Sequence, residues 1–105
     1  MKKIGFIGAY DKTDLIIYIA KILTTLKKKV LVIDATTKQK ARYVVPVINP
    51  TKMYVTEYEE IDIAVGFPNI EDIKRYLGYS EEQDLDYDIV LIDTDSIEGF
   101  SIFKL

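Results

Sequence analysis

Tyr87-Asp88-Ile89-Val90-Leu91-Ile92-Asp93-Thr94 is the segment whose reading decides the fold. Ile89 to Ile92 is an unbroken apolar run with no position left for water, so it predicts a strand covered on both faces, as strands of parallel sheets are. The run ends in Asp93-Thr94, which places a carboxylate and a hydroxyl at the carboxyl end of that strand. Ligands of open α/β sheets bind outside such ends, so Asp93 is a candidate functional residue.

Two further segments extend the pattern towards the N-terminus. Val30-Leu31-Val32-Ile33 is continuous and mostly β-branched, is bounded by Lys29 and Asp34, and predicts a second doubly covered strand. Ile4-Gly5-Phe6-Ile7 followed by Gly8 predicts a buried strand ending in a turn. Between them, from Thr13 to Leu26, Leu15, Ile16, Ile19, Ala20, Ile22, Leu23 and Leu26 recur at three- and four-residue spacing, which predicts one apolar helix face. Lys27 to Lys29 then suit the negative end of the helix dipole. Strand, helix and strand within about 30 residues make a βαβ unit. The expected architecture is α/β: a three-layer, mainly parallel sheet with flanking helices, in which Ile4–Ile7, Val30–Ile33 and Ile89–Ile92 are buried neighbours. A chain of 105 residues suits one such domain spanning 1–105.

The remaining segments are less regular. Met53 to Tyr58 and Ile61 to Val65 alternate apolar with polar residues around Glu59-Glu60, suggesting a β-hairpin or two edge strands. Asn69 is placed to cap a helix running to Leu77, with Gly78 as its stop. Ser80 to Asp86 reads as an acidic connector, 36–43 as a short helix or loop, and Pro46 and Pro50 as breakers. Ile97 to Leu105 has the spacing to begin another helix.

Composition narrows the chemistry. The chain is 49% hydrophobic and 30% charged, which is ordinary globular usage. Net charge is -3 and no basic run exceeds Lys27-Lys28-Lys29, so direct nucleic-acid binding is disfavoured. Cysteine and histidine are both absent, which leaves Lys, Thr, Ser, Tyr and carboxylates for any chemistry. No segment approaches the roughly 20 apolar residues of a membrane span, and a cytoplasmic location is expected.

The loop between the first strand and the first helix is Gly8-Ala9-Tyr10-Asp11-Lys12-Thr13. A strand-to-helix loop with Lys-Thr at its end is where a P-loop cradles phosphate, with backbone N–H groups, a lysine on the outer phosphates and a hydroxyl on Mg²⁺. Gly8, Lys12 and Thr13 are therefore candidates for nucleotide binding, and Thr13, Asp34 and Asp93 for Mg²⁺, with weakly held ATP or ADP as the candidate ligand and no cofactor as the alternative. The full G-x-x-x-x-G-K-[ST] pattern fails at Phe6 and Asp11, where glycines would stand. A carboxylate at Asp11 adds negative charge beside the phosphate. In the plainer alternative, Asp11 or Thr13 caps the helix and Asp34 merely ends its strand. Asp84, Asp86 and Asp88 open with calcium-loop spacing, but Ile89 stands where that loop needs glycine.

Taken in order, these segments resemble the MinD/ParA family, the deviant Walker A ATPases of the SIMIBI class. Its loop reads roughly K-G-G-x-G-K-T, its second strand ends V-L-x-I-D-A-D, and its Walker B strand reads Y-D-x-V-I-I-D-T. Val30 to Ala35 and Tyr87 to Thr94 match well, and Gly8, Lys12 and Thr13 match in part. Ile7 replaces the family's signature lysine, Ala9 and Asp11 replace glycines, and Thr36 replaces the second aspartate of D-A-D. The resemblance implies a partial P-loop NTPase-like fold that corresponds to the N-terminal half of the family domain. With its degenerate loop it is similar to the CpaE/TadZ group, which implies a non-hydrolysing scaffold with protein partners or a homodimer, serving a cell-envelope, pilus or partition system. No ATPase activity is expected.

Two other readings remain open. A response-regulator receiver would use Asp93 as phosphoacceptor and Glu98-Gly99-Phe100 in its following segment, but Gly8-Ala9-Tyr10 stands where its acidic pair belongs. A ligand-free interaction module would use Lys12, Asp34 and Asp93 only as strand-end and helix-start residues.

Overall fold

A computed structural model describes residues 2–8, 12–35, 53–80 and 82–94. Segments 36–43 and 97–105, together with Pro46 and Pro50, lie outside the described residues. The strands are β1 (Lys2–Ile7), β2 (Val30–Asp34), β3 (Tyr54–Tyr58), β4 (Ile61–Val65) and β5 (Ile89–Thr94), and the helices are α1 (Thr13–Thr25) and α2 (Ile70–Leu77). They form one five-stranded sheet in the order β1-β5-β2-β4-β3. β1, β5, β2 and β4 run parallel, and β3 joins β4 antiparallel at the far edge. A mixed α/β fold with a mostly parallel sheet is thus present.

The two unbroken apolar runs occupy the inside of the sheet. Every residue of β2 is buried, as are Val90 to Thr94 of β5. Side chains alternate between the faces of a strand, and the core divides accordingly. Val30, Val32, Ile61, Ile63 and Leu91 pack with Ile16, Ile17 and Ala20 of α1. Leu31, Ile33, Val90 and Ile92 pack with Ile70 and Ile73 of α2, with Phe67, and with Leu85 and Tyr87 from the connector.

β1 departs from expectation. It does neighbour β5, but it is an edge strand, and Ile4 and Ile7 are exposed. An apolar run records what a strand offers for burial, and among the described residues nothing pairs with the outer side of β1. Helix α1 departs too. It buries Ile16, Ile17 and Ala20, whereas Leu15 and Ile22, expected on the core face, are exposed. It ends at Thr25, so Lys27 to Lys29 lie beyond its last turn, with Lys27 at φ 63°.

The hairpin forms without its usual turn residues. Glu59 and Glu60 both take positive φ, 51° and 69°, as a two-residue type I′ connection requires. Asn and Gly normally fill such positions, because a Cβ there costs roughly 1–2 kcal/mol per residue. Lys21 pairs with Glu59 at 2.7 Å across an exposed surface, which ties the turn to α1. Helix α2 is terminated as its sequence predicts. Asn69 accepts from the Asp72 N–H at 2.9 Å, and Gly78 takes φ 82° while the Tyr79 N–H closes onto the Lys74 carbonyl.

Candidate functional site at the carboxyl edge of the sheet

The carboxyl ends of β1, β5 and β2 lie side by side, so the residues that end them meet. Phe6 pairs with Asp93, Ile7 with Thr94 and Asp34 with Asp93. The Gly8 N–H donates to the Thr94 carbonyl at 3.1 Å, and the Ala35 N–H donates to the Asp93 carbonyl at 2.8 Å. Asp93 shares strand parity with Ile89 and Leu91, and Asp34 with Val30 and Val32, so both carboxylates lie on the α1 face of the sheet.

Lys12 arrives on that face at the N-cap position of α1. Its ammonium lies 2.6 Å from Asp93 Oδ1 and donates to the Gly8 carbonyl at 3.0 Å. Lys12 and Asp93 are only 5% and 3% exposed, so this is a buried ion pair linking the β1–α1 connection to the neighbouring strand β5. Thr13, Asp34 and Thr94 are buried beside them in the chain's fold. Lys12 makes no side-chain cap to α1, and Thr13 is the first helical residue rather than a cap.

All five candidate residues, Gly8, Lys12, Thr13, Asp34 and Asp93, therefore belong to strand ends or to the start of α1 at one edge. Ala9, Tyr10 and Asp11 of the intervening loop lie outside the described residues. The Lys12 ammonium pairs with Asp93, and Asp34 stands beside Asp93 in the strand register. A Mg²⁺ ion held by Asp93 would share that carboxylate with the lysine ammonium, which lies 2.6 Å from its Oδ1. Among the described residues no three carboxylates gather as a metal-holding group.

Two features were not legible as functional candidates. The Tyr87 hydroxyl donates to Asp62 Oδ2 at 2.7 Å, joining the start of β5 to β4. An open hollow of about 280 Å³, lined by Lys21, Thr24, Thr25, Glu59 and Glu60, lies by the hairpin turn and the end of α1, away from the ion pair. No helix among the described residues is long and apolar enough to cross a membrane.

Comparison with protein-family models, with curated proteins and with solved structures finds no match to this chain.

Proposed function

We propose that this chain is a non-hydrolysing positioning or scaffold module related to the MinD/ParA-type P-loop NTPases, in which the phosphate-binding lysine has become a structural ion-pair partner. One observation carries the reading: the Lys12 ammonium sits 2.6 Å from Asp93 Oδ1, buried, with Gly8 O as its second acceptor. A lysine so engaged reaches phosphate only by breaking a buried pair, which typically costs about 3–5 kcal/mol when one partner is lost. Asp11 and the missing loop glycines oppose phosphate as well. The chain then acts through its surfaces, as a cytoplasmic partner of other proteins in a cell-envelope, pilus or partition system. The three-layer P-loop arrangement is part of the same proposal. The receiver-type alternative needs an Asp93 carboxylate open to a phosphoryl donor, and Asp93 is 3% exposed and holds Lys12.

Calorimetry with Mg·ATP tests the reading on the unaltered chain and on Asp11→Gly. The expected result is weak or no binding by the unaltered chain and gain of binding in the variant, because Asp11→Gly removes a carboxylate beside the phosphate loop and supplies a missing glycine. Micromolar binding and turnover of ATP by the unaltered chain would contradict it. Absence of binding in both proteins would favour the ligand-free interaction module.

A further inference from the structure

We propose that α1 is the contact face of a homodimer in which two copies of the helix pack antiparallel through Leu15, Tyr18, Ile22 and Leu26. This inference is independent of the ancestry of the phosphate loop. The helix buries one face in the core through Ile16, Ile17 and Ala20, yet Leu15, Tyr18, Ile22 and Leu26 are 54%, 63%, 47% and 64% exposed. Their spacing of three, four and four residues sets them in a second apolar stripe along the helix. A surface helix ordinarily turns charged and polar residues outward, and contiguous exposed apolar side chains mark interaction sites.

The stripe's own layout identifies the occupant as a second copy. An isologous interface must be complementary to itself. Running the helix against its inverted copy about a centre between Ala20 and Lys21 sets Leu15 opposite Leu26 and brings Tyr18 within one residue of Ile22. The same inversion brings Asp14 to the end of the partner helix that Lys27 follows, and both of these are exposed. An acid therefore stands at one end of the stripe and Lys27 and Lys28 follow the other, so a parallel copy would oppose like charges and an antiparallel one pairs them. Antiparallel packing also brings each helix N-terminus to its partner's C-terminus, the favourable arrangement of the dipoles.

The test uses the full chain. Sedimentation equilibrium should show the 12.1 kDa monomer giving way to a species of twice that mass as concentration rises. Tyr18→Glu and Ile22→Glu should abolish the heavier species while circular dichroism stays unchanged, since both positions are exposed. Asp14→Lys should weaken association several-fold, and adding Lys27→Asp should restore it. Orientation is read separately, because the chain lacks cysteine: a mixture of Leu15→Cys and Leu26→Cys proteins should oxidise to the mixed disulfide in preference to either like pair. A monomer at every concentration, a dimer indifferent to Tyr18→Glu, or a preference for like pairs would each overturn the proposal.

Discussion

At the scale of single residues, environment gives ordinary side chains unequal tasks. Tyr87 is a clear case among the eight tyrosines. Burial raises the pKa of its phenol above the ordinary value, and the hydrogen bond donated to Asp62 raises it further. The folded chain thus holds this proton more tightly than the unfolded chain does. The resulting stabilisation is complete below about pH 10, the unperturbed phenol value, and is lost as the pH climbs above it. Followed by phenolate absorbance, Tyr87 should titrate only as the protein unfolds, and Tyr87→Phe should reduce that late step by one tyrosine while costing about 1 kcal/mol at neutral pH. Titration of all eight at the ordinary value in the folded protein would refute this. Lys12 and Asp93 were both legible as candidates from their places after strands. Their mutual pairing was not, because it depends on β5 lying beside β1, and strand order is not written in local sequence.

Elements were legible where physical demands on them were one-sided. β2 and β5 are covered on both faces, and their apolar runs Val30–Ile33 and Ile89–Ile92 say so. β1 offers a similar run but stands at an edge, since periodicity reports what can be buried and not what arrives to cover it. α1 is apolar around much of its circumference, so pattern alone could not choose which face meets the sheet. α2 carries Asn69 and Gly78 at its ends, and those caps fix it locally. Gly78→Ala should therefore cost roughly 1 kcal/mol. That cost would be purely conformational, because a Cβ at Gly78 meets nothing within 4 Å. The hairpin predicts the opposite sign. Glu60→Gly relieves a positive-φ residue and leaves the Lys21–Glu59 pair in place, so it should raise stability by about 1 kcal/mol, or roughly 4–8 °C in Tm. A lowered Tm in a thermal melt would show that the turn is not strained.

At the scale of the whole molecule, the strand order sets β5 between β1 and β2, and the Lys12–Asp93 pair fastens the β1–α1 connection to that interior strand. The contact gives the fold a buried tie between that connection and β5, and under the proposed function it engages the lysine that a P-loop would turn to phosphate. A buried pair is costly to break and often cheap to replace, since losing one partner strands the other charge while losing both strands none. The measurement that tests this most directly is a double-mutant cycle in denaturant, comparing the unaltered chain with Lys12→Met, Asp93→Leu and the two together. Each single change should cost about 3–5 kcal/mol, and the double variant should cost far less than their sum, a coupling of at least about 2 kcal/mol. Losses that simply add, with no coupling between the two positions, would contradict the claim that Lys12 is committed to Asp93.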